Sequence, residues 1–315
     1  MRAVVVERYG PPSVARVAEV ADPVARPGEV VVRVAAAAVT SGDARMRAAR
    51  FPRGFALPAR LGIGLRGPRR PVLGVALSGT VASVGEGVST LAVGDEVAGM
   101  TGARLGAHAE LVAVRAERLV RKPAGVSHDD AAAVLFGGCT ALHYLEDVVP
   151  LGAGHSVLVL GASGAVGSSA VQVARMAGAR VTGVTSGRNA ALVHSLGAER
   201  VIDYTATPVA RITGPFDVVV DTVGAVSTPA GRALLADDGQ LVLVLATLWQ
   251  SITARGRVKA GVSGSRPEHM SRLLSLVASG ELDPVLQESM PLDEIARAYA
   301  IVDSGRKVGN LVVRP

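Results

Sequence analysis

The residues best placed to do chemistry are three glycines. In the segment SVLVLGASGAVGSSAVQVA, Gly161, Gly164 and Gly167 follow an unbroken apolar run and open a stretch of helical periodicity. A strand that enters a helix through residues without side chains offers backbone N–H groups and the positive end of the helix dipole to an anion. Such a turn suits a diphosphate. Gly161 and Gly164 can make the tight turn and let backbone amides approach it, and Gly167 lets the helix pack closely on the strand. Ser163, Ala165 and Val166 complete the turn and are candidate contacts of the same ligand. The spacing is G-x-x-G-x-x-G, departing at Ala162 from the commoner G-x-G-x-x-G. The reading therefore rests on its context: a strand before, a helix after, and a second strand about twenty residues on.

The end of that second strand decides which dinucleotide is bound. An Asp or Glu there accepts hydrogen bonds from the ribose 2′-hydroxyl of NAD. The sequence reads VTGVTSGRNAA, with no acidic residue from Gly178 through Ala198. Ser186, Arg188 and Asn189 instead offer donors to a 2′-phosphate. A charge-assisted bond from Arg188 contributes about 1.5–3 kcal/mol, a roughly tenfold to hundredfold preference. The expected cofactor is NADPH.

Positioning these residues requires a parallel sheet. From about Ala131 strands and helices alternate. The helical AAAVLFGGCTALHYLEDV precedes SVLVL, and further strands are expected near Arg180–Val184, at RVID, FDVVVD and LVLVL, with helices over Ala190–Leu196 and Pro229–Ala236. Val and Leu runs without alternation suit strands covered on both faces. The fold class is α/β, a Rossmann doubly wound parallel sheet. The first ~120 residues read instead as short alternating strands separated by turns such as Arg26-Pro27-Gly28. Between Phe51 and Pro71 a Gly-, Pro- and Arg-rich stretch has little strand periodicity and reads as a long loop.

Composition bounds the rest. The 315 residues favour two domains; 49% are hydrophobic and 19% charged, a globular balance. With 3% aromatic residues, the core must be built from Ala, Val and Leu. The net charge of +6 is scattered and lacks an aromatic stacking platform, so no nucleic-acid partner is expected. The apolar runs fall short of the ~20 residues that span a bilayer, and MRAVVVERYG has no signal-peptide pattern. No membrane partner and a cytoplasmic location are expected.

Several motifs, in order along nearly the whole chain, resemble the zinc-independent quinone oxidoreductases of the medium-chain dehydrogenase/reductase type. They are VLGVALSGTVASVGEGVSTLAVGDEVAGM, FGGCTALHYL, GASGAVG, TSGRNAALVHSLGAERVIDY, FDVVVDTVG and MPLDEIARAYAIVDSGRKVGNLVV. The resemblance implies a GroES-like β-rich catalytic domain over residues 1–122, a Rossmann NADP-binding domain over 123–264, and a return to the catalytic domain over 265–315. It also implies a homodimer and a cleft for the nicotinamide. By position, Thr140 resembles the hydroxyl near the nicotinamide and Tyr204 the residue near the adenosine phosphate. Val223, Gly224 and Leu245 resemble the cofactor-facing strand ends. The family often has Lys where Asn189 stands, with adjacent Arg188 as a substitute.

The single cysteine, Cys139, rules out a multi-cysteine zinc site, and the six histidines show no paired ligand spacing. No metal is expected. Without one, the acceptor must already be electrophilic, a quinone or an α,β-unsaturated carbonyl, reduced by hydride from NADPH. VTSGD resembles the family's VNPVD-like stretch, which puts Thr40, Ser41 and Asp43 near the small-molecule substrate and makes Thr40 and Asp43 the catalytic candidates; a purely local role would pair Asp43 with Arg45 or Arg47. Phe51 stands where some relatives carry Tyr, leaving water as the proton source. Cys139 reads as a packing residue rather than a nucleophile. The competing reading is an NADPH-binding structural or regulatory protein with little catalysis.

Overall fold

A computed structural model describes residues 1–261 and 263–315, which divide into two compact units. The first unit takes residues 1–51, 56–136 and 265–315; the second takes 52–55 and 137–264.

The first unit opens with the antiparallel pair β1 (Arg2–Val5) and β2 (Arg16–Glu19). Its main sheet begins with β3 (Glu29–Ala38), followed by α1 (Ser41–Ala48) and α2 (Ala56–Ile63). It continues through β4 (Ala76–Val84), β5 (Glu96–Met100), β6 (Leu111–Arg115) and β7 (Leu119–Arg121). Most of β3 is buried, because its two faces meet different apolar layers. Val30, Val32 and Val34 join a core with Leu73, Leu77, Val81 and Tyr299, while Ala36 packs with Ala132 and Ala133 of α3 (His128–Leu142). Alanine on both sides lets that helix approach the sheet closely.

The second unit is a six-stranded, wholly parallel sheet. β8 (Ser156–Leu160) leads into α4 (Ala165–Met176), and β9 (Arg180–Thr185) into α5 (Ala190–Ser195). There follow β10 (Arg200–Asp203), β11 (Phe216–Asp221), α6 (Thr228–Arg232), β12 (Leu235–Leu243), α7 (Leu248–Thr253) and β13 (Val258–Ala260). The strand order β10-β9-β8-β11-β12-β13 is that of the doubly wound sheet expected from the alternating pattern. The chain then returns to the first unit through α8 (Pro267–Ala278), β14 (Leu286–Pro291), α9 (Ile295–Asp303) and β15 (Asn310–Arg314). Strand β15 pairs with β3 and β14, completing the order β14-β15-β3-β4-β5-β7, with β6 also on β3. Among the described residues, no helix is long and apolar enough to cross a membrane.

Two expectations need correction. The helix near Pro229–Ala236 ends at Arg232, because Leu234 and Leu235 are drawn into strand pairing. Phe216 N–H donates to Leu234 O at 2.9 Å, and Leu235 lies opposite Phe216. The Phe51–Pro71 stretch is not featureless, since it contains α2. None of that helix's residues is buried, and Tyr9, distant in sequence, anchors its last turn. Tyr9 Oη donates to Gly64 O at 2.7 Å, Gly64 N–H donates to Arg60 O, and the Arg60 guanidinium lies 5.5 Å from the Tyr9 ring centre.

A polar cluster ties α3 to the first unit's sheet. His128 Nδ1 lies 2.8 Å from Ser78 Oγ, His128 Nε2 lies 3.2 Å from Glu96 Oε1, and Lys122 Nζ lies 3.2 Å from Glu96 Oε2. Burial, aided by the Lys122 charge, holds His128 below the ordinary histidine pKa, against the opposing pull of Glu96 and Asp129. The folded state therefore takes up this proton less readily than the unfolded chain. Its contribution is fully present above the unfolded pKa of about 6.5, and is lost as pH falls from there through the depressed folded value. Urea midpoints measured on either side of about pH 6.5 should show wild type losing more stability on acidification than His128→Gln. Equal losses would contradict this assignment.

Candidate functional site

The glycine-rich turn is built by three different steric demands. Gly161 has φ +80°, and a Cβ there would lie 2.5 Å from Val223 Cγ1 and 2.6 Å from Thr222 Oγ1. A Cβ on Gly167 would lie 2.0 Å from the Gly161 carbonyl oxygen, so this glycine lets α4 close onto the end of β8. Gly164 differs. A Cβ there would meet only Gly161 O, at 3.4 Å. Gly164 is also the N-cap of α4, and no side chain caps that helix. An uncapped helix start behind a residue without a side chain is a cradle that fits a phosphate.

Gly137 on α3, which sequence reasoning passed over, belongs to the same construction. A Cβ there would lie 2.2 Å from Ala165 O, so the helix can press against the start of α4. Thr140 lies one turn further along α3 and is buried, with its Oγ1 3.2 Å from Ser263 Oγ. The FGG preceding Cys139 was the available signal. Cys139 itself is buried, and burial pushes its thiol up to about 12, which removes the thiolate a nucleophile needs.

The other expected cofactor residues lie just past the carboxyl ends of neighbouring strands. Ser186, Arg188 and Asn189 follow β9, Tyr204 follows β10, Val223 and Gly224 follow β11, and Leu245 follows β12. The strand order places the switch of winding direction between β8 and β11, the usual ligand-binding crevice of such sheets. The Ser163 hydroxyl accepts from Thr185 Oγ1 at 2.8 Å and from Asn189 Nδ2 at 3.0 Å. Asn189 thus braces the glycine turn. Arg188 is exposed, and its guanidinium makes no hydrogen bond or ion pair within the described residues. Tyr204 and Val223 are about half exposed, at 51% and 52%.

Two acidic residues that sequence reasoning did not single out shape this edge. Asp221 is fully buried; its Oδ1 accepts from the N–H groups of Val223 and Gly224, and its Oδ2 from that of Val226. It fixes the loop on which Val223 and Gly224 sit. Asp203 comes from β10, outside the window that governs cofactor choice, yet its Oδ2 would meet a Cβ on Gly187 at 2.4 Å. Hydrogen bonds from Thr205 and from the Gly187 N–H hold its carboxyl below the usual range. The sequence signal for Asp221 was an Asp followed by Thr-Val-Gly, a side chain that bonds backbone a few residues on.

In the first unit, Thr40 and Asp43 meet each other rather than solvent. Asp43 is fully buried; its Oδ2 accepts from Thr40 N at 2.9 Å and Thr40 Oγ1 at 2.6 Å, and its Oδ1 accepts from Gly74 N at 3.2 Å. Asp43 N–H donates back to Thr40 Oγ1 at 3.1 Å, completing a capping box at the start of α1. Asp43 has no ion pair with Arg45 or Arg47. Arg47 is fully buried, bonded to Asp303 and to Gly10 O, with its guanidinium 5.1 Å from the Tyr299 ring centre.

The glycine geometry separates folding from ligand approach. Gly167→Ala puts a Cβ onto backbone and should destabilise the chain by about 1–3 kcal/mol. Gly164→Ala meets no such backbone clash and should lower the unfolding free energy from urea denaturation by less, about 0.5–1 kcal/mol for the lost N-cap glycine. A Gly167→Ala protein as stable as wild type would contradict the packing described.

Comparison with known proteins extends this picture. Residues 26–124 match the alcohol dehydrogenase GroES-like domain, and residues 196–313 match the zinc-binding dehydrogenase family. Among the described residues there is no group of three or more His, Cys, Asp or Glu placed to hold a metal ion. The human mitochondrial NAD(P)H oxidoreductase RTN4IP1 is 30% identical over 99% of this chain and 89% of its own length. A Mycobacterium tuberculosis (strain ATCC 25618 / H37Rv) mycocerosic acid synthase-like polyketide synthase is 30% identical over 91% of this chain, which spans 14% of that protein. The quinone oxidoreductase structure from Coxiella burnetii superposes with a TM-score of 0.89 at 26% identity, covering 100% of this chain and 99% of that one. By fold, motif order and these relatives, the chain belongs to the medium-chain dehydrogenase/reductase family, in its quinone oxidoreductase-like branch.

Proposed function

We propose that the protein is an NADPH-dependent reductase that transfers hydride, without zinc, to a quinone or an α,β-unsaturated carbonyl acceptor. The observation that carries this reading is the uncapped start of α4 behind Gly164, where nothing but backbone meets an incoming phosphate. In this reading the N–H groups of Ala165, Val166 and Gly167 hold the diphosphate, braced by Ser163 and Asn189. Arg188 and Ser186 grip the 2′-phosphate, and Tyr204 flanks the adenosine. Val223, Gly224, Leu245 and Thr140 position the nicotinamide. Asp203 already receives donors from Thr205 and Gly187, so its carboxylate is engaged with protein rather than with a ribose hydroxyl.

The bound cofactor supplies a hydride, and the acceptor takes its remaining proton from water. The chain contributes binding and orientation. The mutual bonding of Thr40 and Asp43 favours a positioning role, in which the capping box fixes the start of α1. The proposed working form is a cytoplasmic homodimer, as the family resemblance implies.

The same bonding favours a second reading, an NADPH-binding protein with little catalysis, because both side chains are already engaged with each other and with backbone. Following absorbance of the reduced nicotinamide with a panel of quinones and enones separates the two. Acceptor-dependent turnover supports the reductase; tight NADPH binding without turnover on any acceptor supports the binder. Arg188→Ala should weaken NADPH by roughly tenfold to hundredfold in calorimetry and leave NADH nearly unaffected. Equal weakening of both would place the 2′-phosphate elsewhere.

A further inference from the structure

Trp249 is the only tryptophan in a chain with 3% aromatic residues, and it stands 73% exposed. It is not on a loose loop. Thr247 and Gln250 close a capping box around the start of α7, with Gln250 N donating to Thr247 Oγ1 at 3.2 Å and Thr247 N to Gln250 Oε1 at 2.9 Å. Leu248 N–H donates to Arg53 O at 2.9 Å, which fastens the Pro52–Phe55 turn to this unit. Gly54, at φ +89°, makes the close approach possible, since a Cβ there would lie 2.7 Å from Leu248 Cβ.

The indole borders two depressions. One, of about 430 Å³, is lined by Arg53, Gly54, Thr247, Leu248, Trp249 and Ile252. The other, of about 510 Å³, lies toward Pro229 and Arg232. Both volumes fall within the roughly 300–1,000 Å³ of small-molecule sites. Ile252 is 67% exposed, and the Arg53 guanidinium makes no hydrogen bond or ion pair within the described residues. A flat apolar face, an aliphatic neighbour and one free cationic donor therefore border one depression, and Trp249 stands four residues beyond Leu245, past the carboxyl end of β12.

We propose that Trp249 is the platform of the acceptor subsite, and that its ligand is a planar aromatic quinone which stacks on the indole while Arg53 donates to a carbonyl oxygen. The inference rests on the reductase reading above and narrows its acceptor. An open-chain enone offers no ring to stack, so the platform selects against it. The quinone takes a hydride from the reduced nicotinamide and a proton from water, giving the hydroquinone and the oxidised cofactor.

A single tryptophan makes the test direct. Titrating a naphthoquinone into the full-length protein should quench its tryptophan emission saturably, whereas an open-chain enone should not. Trp249→Ala should raise KM for the naphthoquinone by roughly three- to tenfold, and Trp249→Phe should restore most of it. The NADPH dissociation constant from calorimetry should not move. Turnover by Trp249→Ala at the wild-type KM, or turnover without quenching in the wild type, overturns the subsite and leaves the reductase reading intact. Saturable quenching with no turnover on any acceptor supports the subsite and overturns the reductase reading; neither quenching nor turnover overturns both. A Trp249→Ala protein that sediments as a smaller species than wild type overturns the proposal in favour of a second copy covering this face.

Discussion

A contact that admits no side chain organises the nucleotide-binding unit. At Gly167 even one methyl group would lie 2.0 Å from the carbonyl oxygen of Gly161, and at Gly137 it would lie 2.2 Å from that of Ala165. Backbone meets backbone at both places, so β8, the start of α4 and the middle of α3 converge on one point. The free N–H groups of α4 are left facing the crevice at the sheet's switch of winding direction. A diphosphate is the ligand whose charge and acceptor geometry match that arrangement.

Polar side chains reinforce the convergence from several strands at once. Thr185 and Asn189 both donate to Ser163, so the residues following β9 brace the turn that follows β8. Asp221 gathers three backbone N–H groups beyond β11, and Asp203 brings β10 against the Gly187 turn. Asp221 is satisfied by backbone donors, and Asp203 by backbone donors and the Thr205 hydroxyl, instead of by a cation. Arg188 is left unpaired among the described residues, exposed beyond β9. In the first unit Thr40 and Asp43 likewise answer each other's hydrogen bonds.

Local signals were legible in the sequence and cross-strand ones were not. The glycine turn, its flanking strand and helix, and the parallel order of the second sheet follow from short-range periodicity and from residues that tolerate close approach. Asn189 illustrates the limit. Its position past β9 was legible, but its bond to Ser163 depends on two βα turns meeting in space. Asp203 was missed for the same reason, since it lies five residues beyond the window searched for an acid and reaches Gly187 only through strand pairing. Helix α2 was missed because a run with no buried face carries no apolar periodicity, and its stability comes from Tyr9, far away in sequence. The premature end of α6 shows strand pairing prevailing over local helical pattern.

The most direct measurement is a crystal structure of the protein grown with NADPH. The account predicts the diphosphate oxygens within about 3 Å of the N–H groups of Ala165, Val166 and Gly167, with the 2′-phosphate against Arg188. Density for the dinucleotide elsewhere on the chain, with the crevice at Gly164 closed by protein side chains, would contradict it.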